Sequence, residues 1–165
     1  MEMISRLPVA GGAYALWLEV PDINQLPIGR LGVYDLAGGQ YLYLGSALGS
    51  GGIAARVQRH LEVKKRKFWH IDYLSGVAET RAVFYQVTRM KLECVWSQSL
   101  FKAGIVSIPI PGFGSSDCSS RCPAHFVMLA TGMTASDIHH HLSLSAGSQL
   151  KSLVLTDDHH SRITG

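Results

Sequence analysis

The sequence predicts a small α+β domain, α/β in the broad sense, built on a largely antiparallel three-stranded sheet flanked by helices. Two apolar, aromatic-rich segments near the N-terminus read as neighbouring strands. Two later segments repeat apolar residues at helical spacing. The order strand, strand, helix, strand, helix does not repeat a parallel β-α-β unit, which favours antiparallel pairing.

The first strand is expected at residues 13–20, AYALWLEV, which follow Gly11-Gly12 and stop at Pro21-Asp22. Residues 21–40 carry Pro27, Gly29, Gly32, Gly38 and Gly39 and read as a long connection with a short extended piece at 30–34. Residues 40–46, QYLYLGS, form the second strand. The turn GSALGSGG leads into IAARVQRHLE, where Ile53, Val57 and Leu61 recur every four residues while Arg56, Arg59 and His60 project from another face. After the basic KKRK, FWHIDYL reads as a short helix whose Phe68, Trp69, Ile71 and Leu74 help to close the core. Residues 81–88 supply the third strand. Residues 90–102 form the second helix, with Leu92, Val95, Trp96, Ser99 and Leu100 as its buried stripe and Gly104 as its stop. Beyond it, IPIPGFGSSDC is a loop and AHFVML a candidate further strand. Residues 1–130 are expected to form one domain, and 131–165 a polar, loosely ordered tail rich in Ser and His.

A content of 47% hydrophobic residues excludes a disordered chain, and 17 glycines with six prolines supply its turns. No apolar run approaches the roughly 20 residues that span a bilayer, and the N-terminus has no signal-peptide pattern, so no membrane partner and a cytoplasmic location are expected. Three cysteines leave one unpaired if any disulfide forms, which favours reduced thiols or metal ligands. A net charge of +3 is no polycation, but its distribution is uneven. Arg56, Arg59, Lys64, Lys65, Arg66, Lys67 and Arg81 are opposed locally only by Glu62, Asp72 and Glu79. Arg59 and residues 64–67 are therefore candidate phosphate contacts, the plainer alternative being a solvated helix end.

Two triplets, GAY at Gly12, Ala13 and Tyr14, and YLG at Tyr43, Leu44 and Gly45, stand on the first two strands. With Arg56 and His60 one helical turn apart and LEC at Leu92, Glu93 and Cys94, the pattern resembles the GIY-YIG nucleases. GSALGSGGIAARVQRH, WHIDYL and IPGFGSSDC are similar to a stand-alone branch described as Uri-type endonucleases, sometimes fused to endonuclease III. Ala13 and Leu44 depart from the isoleucines of the family's name, and GSALGSGG lengthens the step to the helix arginine.

The resemblance implies a DNA endonuclease, with DNA-repair proteins as possible partners, and a site made of Tyr14, Tyr43, Arg56, His60 and Glu93. Glu93 would hold one Mg²⁺ or Mn²⁺ through a hard carboxylate oxygen. Arg56 would grip the phosphate as a bidentate fork. His60 is expected to titrate near neutrality and pass a proton, with one tyrosine orienting the attacking water. Gly12 and Gly45 would let backbone and substrate approach closely.

His70 and Asp72 are candidates for lining or bracing the site, or for a structural role. Cys118, Cys122 and His125, spaced C-x₃-C-x₂-H with Asp117 alongside and Cys94 as a possible fourth ligand, form a candidate zinc set. The runs His139 to His141 and His159-His160 receive no role. Two other classes compete with the nuclease: a non-cleaving nucleic-acid-binding module on the same fold, and a zinc-stabilised structural domain. Substrate form and oligomeric state are not written in the sequence.

Overall fold

Gly12–Val20 (β1) is apolar on both of its faces, and a strand of that composition needs cover on both. In the computed structural model, which describes residues 4–146 and 149–155, β1 lies inside a sheet with helices above and below. The other strands are β2 (Ile23–Pro27), β3 (Val33–Leu36), β4 (Gly39–Ala47), β5 (Glu79–Val87), β6 (Val106–Ser107), β7 (Phe126–Leu129) and β8 (Lys151–Val154). The helices are α1 (Gly52–Leu61), α2 (Leu92–Lys102) and α3 (Ala135–Ala146), with a short 3-10 helix at His70–Leu74.

The sheet has six strands in the order β6-β7-β4-β1-β5-β8, every pair antiparallel, while β2 and β3 form a separate ribbon. The three-stranded sheet expected from sequence is thus corrected to six. Its inner members, β4, β1 and β5, are the three strands expected, and β7 falls on AHFVML, the candidate further strand. The outer ones have two to four residues each, too few to show a period of their own.

On one face Tyr14, Leu16 and Leu18 of β1, Tyr41 and Tyr43 of β4 and Val83 of β5 pack with Ile53 and Val57 of α1 and with Ile71, Leu74, Phe113 and Phe126. On the other, Ala13, Ala15, Leu42, Leu44 and Phe84 lie with Leu92, Trp96 and Leu100 of α2 and Ile138 and Leu142 of α3. Two expected core positions lie outside instead: Phe68 is 76% exposed, and Val95 faces solvent while Ser97 takes a buried place.

The start of α1 is anchored by backbone. The Ile53 and Ala54 N–H groups donate to the carbonyls of Ala10 and Pro8, satisfying donors that a helix start leaves free. A Cβ at Gly52, whose φ is +59°, would run into the backbone of Val9 and Ala10, so glycine is required there.

The loosely ordered tail expected from residue 131 does not describe 135–146 or 151–154. Thr134 and Asp137 form a reciprocal cap, Thr134 Oγ1 accepting from the Asp137 N–H at 3.2 Å and Asp137 Oδ2 from the Thr134 N–H at 2.9 Å. Ile138 and Leu142 are fully buried, and β8 pairs with β5. His159 and His160 lie outside the described residues. No helix among the described residues is long and apolar enough to cross a membrane.

Because Leu142 is buried against α2 and the sheet, Leu142→Ala should lower stability by about 2–5 kcal/mol in urea unfolding, the cost of a core leucine truncation. An unchanged midpoint would detach α3 from the core.

Candidate active site and thiol cluster

The β1–β4 register sets the site. Tyr14 pairs with Gly45 and Leu16 with Tyr43, so the two tyrosines are diagonal neighbours on one face. The Tyr14 ring lies across Gly45, where any Cβ would overlap its hydroxyl. A Cβ at Gly12 would meet the Gln86 carbonyl and Ile53. Both glycines therefore serve close approach within the protein, and Gly45 also lines the cleft.

β7 pairs with Tyr41, Leu42 and Tyr43 of β4, and the Leu44 N–H donates to the His125 carbonyl. Past that point the edge of β4 is uncovered by β7, and a cleft of about 540 Å³ opens along it. Tyr14, Tyr43 and Arg56 enter this cleft from the α1 side of the sheet, and Ser46, Lys91 and Glu93 from the α2 side. Trp69, Gln98 and Asp117 also line it, as do Cys94, Cys118 and His125. A second depression, about 360 Å³, is lined mainly by Leu16, Leu18, Leu61, Val63, Ile71 and Leu74 and gathers far fewer polar groups.

His60 borders the second depression rather than the cleft and is only 8% exposed. Its Nε2 is 2.7 Å from the Tyr14 hydroxyl, which donates when the imidazole carries its proton on Nδ1. The ring stands edge-on to Tyr43 and Trp69. Burial, reinforced by the cations Lys65, Arg56 and Arg59 and opposed by Asp72, lowers its pKa to about 3. The expected titration near neutrality is thus corrected: His60 is neutral there and orients Tyr14, while being too weak a base to hold a proton. Burial raises the pKa of Tyr14 and of Tyr43, Arg56 pulling both the other way, so both phenols are protonated near neutrality.

The Arg56 guanidinium stacks on Trp69 at 4.6 Å from the ring centroid and donates to the Ser46 carbonyl at 3.4 Å. Glu93, in the first turn of α2, accepts from the Ser46 hydroxyl. Side chains alternate along a strand, so Ser46 points to the α2 face while its neighbour Gly45 faces Tyr14. Ser46, Trp69 and Lys91 were not singled out as site residues in the sequence, and Asp117 was named only beside the Cys/His set; only the strand parity of Ser46 hints at its place.

The basic stretch divides. Asp72, buried, accepts from the Phe68 and Trp69 N–H groups at 2.8 and 2.9 Å and from Arg59 at 3.2 Å. Burial works against its ionisation, but these N–H donors, Arg59 and Lys65 outweigh it and hold the carboxyl below its ordinary pKa. Lys65 is turned inward, its side chain 6% exposed, donating to the Arg59 and His60 carbonyls and lying 3.4 Å from Asp72. Arg59 pairs with Asp72 and stacks on Trp69. Of the five candidate phosphate contacts, Lys64, Arg66 and Lys67 remain exposed. His70 Nδ1 accepts from the Gly114 N–H at 2.9 Å, a bracing role.

Cys94, Cys118, Cys122 and His125 bring three sulfurs and one imidazole nitrogen within 4.8 Å of one another. Cys94 and Cys118 come from α2 and from the connection before β7, 24 residues apart. This donor set suits zinc better than Mg²⁺ or Mn²⁺, which prefer oxygen.

A family model described as "Domain of unknown function DUF123" matches residues 13–148. The chain belongs to this family. No curated protein and no solved structure matches it. The DUF123 match displaces the resemblance to GIY-YIG nucleases, for which it gives no support. GAY and YLG are triplets that any pair of apolar antiparallel strands can carry, so the roles of residues in this DUF123 chain rest on their geometry alone.

The neutral imidazole makes a pH prediction. Between about pH 6.5 and pH 3 the unfolded chain binds a proton at His60 that the folded chain does not, so this residue makes stability rise with pH across that window. His60→Gln should flatten the slope there by about 1.4 kcal/mol per pH unit. In nuclear magnetic resonance titrations, the wild-type imidazole should stay neutral to about pH 3; protonation near pH 6.5 would contradict the assignment.

Proposed function

We propose that this DUF123 chain is a metal-dependent hydrolase of DNA phosphodiester bonds, acting in the cleft at the β4 edge. The observation that carries the reading is the convergence there of a guanidinium, two phenols and a carboxylate from opposite faces of one sheet. These are the groups that phosphodiester hydrolysis uses to bind the phosphate, orient water and meet developing charge.

Arg56 carries a permanent charge on a planar fork, held by Trp69 and the Ser46 carbonyl. In this reading it binds the non-bridging oxygens of the phosphate. Tyr14, fixed by His60, directs its oxygen at the attacking water, and Tyr43 donates to the phosphate. Glu93 suits a single Mg²⁺ or Mn²⁺: it presents hard oxygen donors, Ser46 engages one of them, and the cleft leaves space for water and phosphate. Such an ion would lower the pKa of the attacking water and offset charge on the phosphate. The exposed Lys64, Arg66 and Lys67, with Phe68 beside Trp69, offer flanking contacts for strands leaving the cleft.

One observation favours a second reading, a module that binds nucleic acid without cutting it. Neither His60 nor the protonated phenols is a strong base near neutrality.

Labelled single-stranded, duplex, flap and branched DNAs, incubated with Mg²⁺, Mn²⁺ or chelator, separate the two. Hydrolysis predicts metal-dependent cleavage that Glu93→Ala abolishes and Arg56→Lys reduces by about 10²–10³-fold, the scale of losing one charge-stabilising group. Salt-sensitive binding by wild type and Glu93→Ala alike, without cleavage in any metal, would reverse the order of the readings.

A further inference from the structure

The chain between β6 and β7 runs from residue 108 to 125 without a strand or an α-helix, yet it forms one wall of the cleft through Gly114, Asp117, Cys118, Ser119 and Ser120. Something must hold such a segment. Its contacts to the rest of the fold include Phe113 in the core, the Gly114 N–H on His70 and the Ala124 carbonyl accepting from Ser97. Between residues 115 and 123, Cys118 and Cys122 reach α2, where they meet Cys94 and Gln98, and Ser120 also approaches Cys94.

We propose that Cys94, Cys118, Cys122 and His125 form a closed, structural Zn²⁺ site that fastens this connection to α2 and so builds the cleft wall. The four ligand atoms lie within 4.8 Å of one another, with Cys94 Sγ 3.3 Å from Cys118 Sγ and 3.7 Å from His125 Nε2. Zinc-sulfur bonds of about 2.3 Å give a tetrahedron with edges near 3.7 Å, so a small inward or outward adjustment of the thiols completes the cage. The sulfur separation is well beyond the roughly 2.05 Å of a disulfide, and all three cysteines are free.

The imidazole is prepared for the same task. His125 Nδ1 lies 3.0 Å from the Gly114 carbonyl, to which it donates, leaving the Nε2 lone pair directed at the thiols. A carbonyl fixing the far nitrogen is the habitual outer partner of a zinc-bound histidine. The turn from Cys118 to Cys122 is closed by the Arg121 N–H on the Cys118 carbonyl, with Arg121 at φ +53°, and this brings the two sulfurs to one side.

Four protein ligands leave no position for water or substrate, so the ion has a structural role. Three thiolates and a neutral imidazole around Zn²⁺ carry a net charge of −1, so the ion itself offers a phosphate neither an open position nor positive charge. Loading releases the thiol protons to solvent, with no change of oxidation state. Cys94 follows Glu93 directly, so the same ion also fixes the turn of α2 that presents the carboxylate.

The proposal is independent of the nuclease reading, and its test needs no DNA. The reduced full-length chain should contain one zinc per molecule by elemental analysis, and Cys122→Ser should lose most of it. Stripping with a strong chelator should expose residues 111–123 to limited proteolysis, reversed by Zn²⁺ and not by Mg²⁺. Should the variant fail to fold, cobalt in the wild type provides the check: a sulfur-rich tetrahedral site gives intense visible d–d bands with thiolate charge transfer. Wild-type chain that neither contains zinc nor takes up Zn²⁺ or Co²⁺ when reduced would overturn the proposal. So would a Cys94–Cys118 disulfide that mass spectrometry finds in protein purified in the presence of reductant.

Discussion

Everything in the candidate site depends on how β4 is paired. On one side it runs beside β1 along its whole length, and that register sets Tyr14 across Gly45 with Tyr43 next to it. On the other it meets β7 only as far as Tyr43, after which His125 turns the chain away. An edge left open in the middle of a molecule is a place where groups from both faces of a sheet can meet around one space. Here it joins the tyrosines and Arg56, on the α1 side, to Ser46 and Glu93, on the α2 side. A longer β7 would close that space.

The second constraint is where the charges go. A run of basic residues suggests an open cationic surface, yet the fold spends Arg59 and Lys65 on Asp72, whose carboxylate also gathers two backbone N–H groups. That buried hub fixes the turn carrying Trp69, and Trp69 in turn supports Arg56. Arg56 therefore reaches the cleft with its position set by stacking, while Lys64, Arg66 and Lys67 stay exposed, Lys67 over the Tyr73 ring. Cationic residues adjacent in sequence thus divide into structural and surface groups, by whether a buried acid lies within reach.

The long, strongly patterned elements were legible in the sequence. β1, β4, β5, α1 and α2 stand close to where apolar composition and periodicity predict them. β7 was readable only as a candidate strand, while β6 and β8 are too short to carry a pattern and depend on the edges of β7 and β5 being available. α3 hid in a stretch rich in Ser and His, although its Thr134-x-x-Asp137 cap was readable. The charge state of His60 was not readable at all, since it follows from burial that only the fold creates. Cys94 stood outside the C-x₃-C-x₂-H spacing because its place beside Cys118 is a tertiary fact. The family triplets misled for a related reason: three residues on each of two strands describe a local pairing, while the DUF123 match spans 13–148.

The central claim is that a phosphodiester occupies the β4-edge cleft, and a crystal structure of the Glu93→Gln variant bound to a short DNA in Mg²⁺ addresses it directly. The account predicts a backbone phosphate within hydrogen-bonding reach of both Arg56 and Tyr43, with the side chain at position 93 facing the same phosphate. DNA lying elsewhere on the molecule, with the cleft holding no phosphate, would contradict it.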